Sequence, residues 1–144
     1  MAYVHVAHDC ILGNNVIMAN MATLGGHVEI GEWASLGGGD LVHQFCRIGA
    51  HAFIGGGFRV VQDVPPFILA AGEPLCFGGA NRIGLKRRGF SMEDRQIIKN
   101  TYQIFFGSKL NRNEALQKIK SEIKPSNYKN QIFDFIRSSE RGII

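Results

Sequence analysis

Every sixth residue from Val6 onward is aliphatic: Val6, Leu12, Met18, Leu24, Ile30, Leu36, Val42, Ile48, Ile54 and Val60. The residue that follows is Gly or Ala in eight of the ten hexads, with His43 and Val61 the exceptions. A half-buried strand repeats every second residue and an amphipathic helix about every 3.6. Neither yields a period of six with a small residue in phase. Three short strands and three tight turns, each pair spanning one hexad, complete a coil of a parallel β-helix. The aliphatic residue then fills a narrow prism, and the small residue lets the backbone turn the corner. Sixteen of the eighteen glycines lie before Phe90, as that reading requires.

At eighteen residues per coil, the stretch from Val6 to Pro65 predicts about three coils, ending where Pro65 and Pro66 remove strand donors. The repeat is already in phase near Met1, so the sequence reads as part of a longer solenoid. The predicted organisation is β-helix coils over 1–66, a connecting segment with a basic loop over 67–90, and a helical domain over 91–144. Within the helical part, Ser91 followed by Asp94 resembles a capping box that opens a helix with Ile98, Tyr102 and Phe105 on one face. A second helix is predicted after Asn113 with Leu116, Ile119 and Ile123, and a third after Pro125 with Ile132, Phe133 and Ile136. These stripes are expected to be core.

Charge divides the chain. Residues 1–80 carry Arg47 and Arg59 against six acids, a net of −4, whereas 81–144 carry fourteen bases against six acids, a net of +8. A basic half suits an anionic partner, whether nucleic acid, acidic protein or phosphorylated substrate. The apolar runs are short and interrupted, which predicts neither a membrane span nor a signal peptide and leads to the expectation of a soluble cytoplasmic protein. Cys10, Cys46 and Cys76 form no C-x-x-C pair and are expected to be small core fillers rather than disulfide or zinc ligands.

His8, His27 and His43 fall in hexads spaced eighteen residues apart, so they should stack in one column along one edge, with His5 beside His8. His51 is expected on a different face as a solvated loop residue. A neutral imidazole suits general-base work near pH 7, and Asp9, next to His8, could orient such a ring. Backbone N–H groups at Gly25 and Gly26 could hold a developing oxyanion. The same residues also fit a plainer role, with Asp9 capping a turn and the histidines filling a seam between subunits.

The segments His5-Val6-Ala7-His8-Asp9-Cys10, Ala22-Thr23-Leu24-Gly25-Gly26-His27-Val28, Val42-His43-Gln44-Phe45, Gln62-Asp63-Val64-Pro65-Pro66 and Gly84-Leu85-Lys86-Arg87-Arg88-Gly89-Phe90 resemble, in order and spacing, the acyl-carrier-protein:UDP-N-acetylglucosamine O-acyltransferases. The resemblance covers essentially the whole chain, although that family has further coils before the matching stretch. It implies a left-handed parallel β-helix with a small α-helical domain, assembled as a parallel homotrimer. It implies transfer of a 3-hydroxyacyl chain from acyl carrier protein to the 3-hydroxyl of UDP-N-acetylglucosamine, at the start of lipid A synthesis. By the same resemblance His8 is the general base, supported by Asp9. His5, His27, His43 and Gln44 line the sugar and acyl site, and Gly26 supplies a backbone donor to the thioester carbonyl. Asn81, Arg87 and Arg88 hold the nucleotide, and Gly56 leaves room for a longer acyl chain. Ile83 stands where some members have an acid. No cofactor and no metal are expected, and the basic half is expected to steer acidic acyl carrier protein.

Three other readings remain in view. A related N-acyltransferase of the same pathway shares the helix and the donor but takes an amine. A zinc lyase of the γ-carbonic-anhydrase type is also a trimeric β-helix with histidines between subunits, although His5-x-x-His8 beside an acid and a basic tail suit it poorly. A noncatalytic binding module would explain the charge, but no nucleic-acid motif accompanies it.

Overall fold

Ten two-residue strands follow one another at six-residue intervals in the computed structural model, which describes residues 1–144. They are β1 (His5–Val6), β2 (Ile11–Leu12), β3 (Ile17–Met18), β4 (Thr23–Leu24), β5 (Glu29–Ile30), β6 (Ser35–Leu36), β7 (Leu41–Val42), β8 (Arg47–Ile48), β9 (Phe53–Ile54) and β10 (Arg59–Val60). Each pairs in parallel with the strand one coil on: Val6 lies opposite Leu24, Leu24 opposite Val42, and Val42 opposite Val60. The outcome is a triangular prism whose faces are the sheets β1-β4-β7-β10, β2-β5-β8 and β3-β6-β9.

The in-phase aliphatic residues fill the prism. Leu24, Ile30, Leu36, Val42, Ile48, Ile54 and Val60 are at most 4% exposed, and burying each such side chain is worth about 1.5–3 kcal/mol. Val6 and Leu12, in the outermost coil, remain 43% and 42% exposed because no coil of the chain lies on them. A second inward position, two residues before the first, holds Ala22, Val28, Ala34, Cys46 and Ala52, all fully buried. Asp40 occupies that position as well. One of its carboxylate oxygens accepts the Phe58 N–H at 3.0 Å, and the other has no partner. Burial raises its pKa to about 6.

The small residues in phase serve the neighbouring coil rather than the turn itself. Left-handed backbone falls at the third residue after each aliphatic position: Asp9, Asn15, Met21, His27, Trp33, Phe45 and His51 have φ between 57° and 65°. Gly31 is required for a different reason, since a Cβ there would stand 2.4 Å from the backbone nitrogen of Ala50 in the next coil.

The coil continues past the two prolines, contrary to the expected stop. Val64 N donates to Arg47 O, Gly49 N donates to Val64 O, and Phe67 N donates to Ala50 O. The bonds between coils thus run on either side of the residues that lack a donor. β11 (Ile68–Ala71) then adds to β9, and β12 (Cys76–Ala80) folds back antiparallel on β11. Each face therefore has about four tiers rather than three.

Four helices follow. The expected basic loop begins instead as a short helix, α1 (Arg82–Arg87), whose first turn is capped by the Asn81 side chain at Gly84 N. Ser91 caps α2 (Met92–Gly107) through Asp94 N, as expected. α3 (Arg112–Glu122) starts earlier than predicted because Asn111 and Glu114 form a reciprocal capping box. α4 (Asn127–Arg137) begins after Pro125 and is capped by Ser126. Ile98, Tyr102, Leu116, Ile119, Ile132 and Ile136 are buried, and the Tyr102 hydroxyl donates to Pro66 O at 2.5 Å, pinning α2 to the end of the coil. Of the cysteines only Cys46 is a core filler; Cys10 is half-buried and Cys76 exposed. No helix is long and apolar enough to cross a membrane.

Candidate active site

The corner that follows β1, β4 and β7 collects the exposed histidines. The register sets Asp9, His27 and Phe45 one above another at left-handed positions, and His8 above Gly26 and Gln44. His8 Nδ1 lies 2.9 Å from Asp9 Oδ2. An ionised carboxylate only accepts, so Nδ1 carries the proton and the Nε2 lone pair faces away unbonded. The hydrogen bond from His8, followed by the charge of His27, holds the Asp9 carboxyl below its usual range and keeps it ionised.

His27 Nε2 stands 3.7 Å from the same Asp9 oxygen. Its ring meets His8 edge-on, with centroids 5.1 Å apart, and stacks on Phe45 at 4.8 Å with the planes 10° from parallel. The His8 ring rests on Gly26, where a Cβ would come within 2.7 Å of Cε1 and 2.8 Å of Nε2. The Gly26 N–H makes no hydrogen bond within the chain. The corner thus combines an oriented imidazole, an ionised partner and a free backbone donor, an arrangement suited to abstracting a proton and holding a developing oxyanion.

The predicted column holds only in part. His43 shares the corner but aligns with Gly25, and its Nδ1 donates 3.1 Å to Gln44 O instead of meeting His8 or His27. His5 projects outward from β1 opposite Thr23. His51 is not solvated: it is 8% exposed, against Phe67 and Phe90, and burial lowers its pKa. Phe45 and Trp33 were missed, although the eighteen-residue period that stacks the coils places Phe45 on His27 and Trp33 next to His51.

Comparison with known proteins identifies the family to which the chain is similar. Residues 63–144 match the family described as "Udp N-acetylglucosamine O-acyltransferase; Domain 2". The acyl-[acyl-carrier-protein]--UDP-N-acetylglucosamine O-acyltransferase of Herminiimonas arsenicoxydans is 51% identical over the whole chain, which covers 56% of that relative. The enzyme of the same description from Thiobacillus denitrificans is 46% identical, again with 100% of this chain and 56% of the relative covered. Among solved structures, the UDP-N-acetylglucosamine acyltransferase of Bacteroides fragilis superposes with a TM-score of 0.96 at 46% identity, over 98% of this chain and 55% of that one. That of Francisella novicida gives 0.95 at 39% identity, over 100% and 53%.

The chain belongs to this O-acyltransferase family. Its coil is the family's left-handed β-helix, and it spans about half the length of the curated relatives it matches. Arg88 and Asn81, expected from the resemblance to hold a nucleotide, lie at the next corner of the prism, away from His8. Arg88 lays its guanidinium on the Trp33 ring, 3.6 Å from the centroid. It borders a cavity of ≈ 720 Å³ with Glu32, His51, Phe90 and Tyr128. Asn81 is engaged at both ends of its amide, donating to His51 O at 2.9 Å and accepting from Gly84 N at 3.2 Å. Arg87 ends α1. Gly56 sits at the third corner, packed over Gly38. A second cavity, of ≈ 1060 Å³, has Arg82, Lys86, Arg95 and Lys99 among its walls and no acidic residue.

Proposed function

We propose that this chain forms the carboxyl-terminal part of an enzyme that moves a 3-hydroxyacyl group from acyl carrier protein to the 3-hydroxyl of UDP-N-acetylglucosamine, the first step of lipid A synthesis. The observation that carries this reading is the His8–Asp9 pair at 2.9 Å, which fixes the proton on Nδ1 and leaves Nε2 as a base at an open corner. In this mechanism His8 Nε2 takes the proton of the sugar hydroxyl as its oxygen attacks the thioester carbonyl. Asp9 stabilises the imidazolium that forms, and the Gly26 N–H donates to the oxyanion; collapse of the oxyanion breaks the C–S bond, and the departing thiolate of acyl carrier protein takes the proton back from His8 Nε2. His5, His27, His43 and Gln44 line the sugar and acyl path around that point, and Gly56, lacking a side chain, leaves room for a longer acyl chain.

Arg87 and Arg88 suit the nucleotide diphosphate, which planar guanidinium groups bind in pairs of hydrogen bonds, and Asn81 contributes by holding α1 in place. These residues and His8 occupy different corners of one prism, so a parallel homotrimer, in which the corner of one copy faces its neighbour, is the arrangement that lets them act on one substrate. The acid-free cavity bounded by Arg82, Lys86, Arg95 and Lys99 suits the acidic acyl carrier protein. A cytoplasmic location completes the reading.

The test is acyl transfer from acyl carrier protein to UDP-N-acetylglucosamine by the chain, and by a full-length relative with the same change, each with His8→Ala. Loss of a positioned base is expected to cost about 10²–10⁴-fold in rate. A parental rate in the His8→Ala enzyme overturns the assignment. Offering the 3-O-acylated sugar amine beside UDP-N-acetylglucosamine separates O- from N-transfer, and preference for the amine would replace this reading by the related N-acyltransferase.

A further inference from the structure

We infer that His8, Asp9 and His27 form a binding site for a divalent transition-metal ion of the zinc class, and that an ion held there switches off His8 as a base. The second half of this inference rests on the proposed function; the first does not. His8 Nδ1 and His27 Nε2 converge on one oxygen of Asp9 at 2.9 and 3.7 Å, and the three ligand atoms all lie within 4.8 Å of one another. Zinc bonds of about 2.0–2.2 Å in tetrahedral geometry put neighbouring ligand atoms about 3.3–3.6 Å apart. The two contacts fall on either side of that range, and the third, within 4.8 Å, requires the exposed His8 ring to turn toward His27.

The rest of the corner favours capture. The Phe45 stack fixes the His27 plane. All three groups are open to solvent, so water can complete the coordination. Two imidazoles with one carboxylate is a donor set that suits zinc, copper or nickel, whereas magnesium prefers oxygen ligands alone.

The consequence for His8 follows from its tautomers. In the free chain Nδ1 carries the proton and donates it in a hydrogen bond to Asp9, which remains the acceptor. A metal ion on Nδ1 needs that lone pair, so the ring proton moves through solvent to Nε2, and the neutral imidazole keeps a single proton throughout. Nε2 then carries N–H and cannot accept the proton of a hydroxyl. Asp9, now a ligand, no longer orients the ring.

The chain, freed of metal by chelation, is titrated with Zn²⁺ by calorimetry, with Mg²⁺ as the comparison and with Co²⁺ to report coordination by its visible bands. One Zn²⁺ per chain is expected, with no matching uptake of Mg²⁺. Affinity should fall at least 10–100-fold in His8→Ala and in His27→Ala, a loss that even outer partners of a metal site produce, while His43→Ala binds as the parent does. Circular dichroism establishes that each variant is folded. Absence of stoichiometric binding, or binding indifferent to His27→Ala and His8→Ala, overturns the site. In the acyl-transfer assay Zn²⁺ should inhibit and chelator should restore the rate. A chain that holds zinc at this site and still transfers acyl groups at full speed would keep the site and overturn the role of His8 as base.

Discussion

Gly26→Ala tests the base assignment without touching either partner of the hydrogen bond. The added Cβ would lie 2.7 Å from His8 Cε1 and 2.8 Å from Nε2, against about 3.5–4.0 Å for comfortable carbon contact. The ring must therefore move by roughly 1 Å. The backbone does not have to give, because Gly26 does not have left-handed φ and the obstacle is the end of an exposed side chain. A displaced ring loses the 2.9 Å contact with Asp9, and a misplacement of about 1 Å at a reacting group costs on the order of 10²-fold in rate. Gly26 is itself buried beneath the His8 ring, but only that exposed ring has to move, so stability measured by urea unfolding should fall by no more than about 1 kcal/mol. The assay is kcat/KM for acyl transfer, alongside His8→Ala and the double variant. The two changes act through one group, so the double variant should be no slower than His8→Ala alone. A Gly26→Ala enzyme at the parental rate, or a double variant whose losses multiply, would refute the argument that the ring on Gly26 removes the proton.

Two further predictions concern the scaffold. Tyr102→Phe removes the hydroxyl that meets Pro66 O at 2.5 Å in a buried setting; the stranded carbonyl should cost about 1–3 kcal/mol in urea unfolding. An unchanged midpoint and slope would show that α2 is not pinned there. Asp40, with its carboxyl raised to about 6 from an ordinary value near 3.8, binds a proton more readily folded than unfolded. Its contribution to stability is therefore complete below about pH 4 and is lost as pH rises through 6. Asp40→Asn keeps an acceptor for Phe58 N and removes the charge, so the fall in stability between pH 4 and 6 should be smaller than in the parent by roughly 2 kcal/mol. Parallel pH profiles for the two chains would contradict the buried ionisation.

The edges of legibility follow from what each residue interacts with. Period six found the coil, because a prism filled by one aliphatic residue per side forces that period on any chain that forms it. It also brought His8 and His27 to one corner. The number of tiers is not legible in the sequence, because Pro65 and Pro66 stop a strand only where their nitrogens would have donated. The burial of His51 is not legible either, since its surroundings, Phe67 and Phe90, arrive from beyond the repeat. The helix α1 was hidden by Gly84 and by a cap, Asn81, whose other amide end is held by a coil thirty residues earlier.

The six-residue spacing along the chain, then, settled the coiling of the backbone, because strand, turn and inward position are local choices repeated with one period. Which histidine meets which partner was decided by the stacking of coils eighteen residues apart: His8 on Gly26, His27 between Asp9 and Phe45, and His43 turned to its own backbone. A single residue of offset at a corner moves a side chain across it. Periodicity carries no information at that scale, whereas contacts of 2.9 and 3.7 Å depend on it entirely.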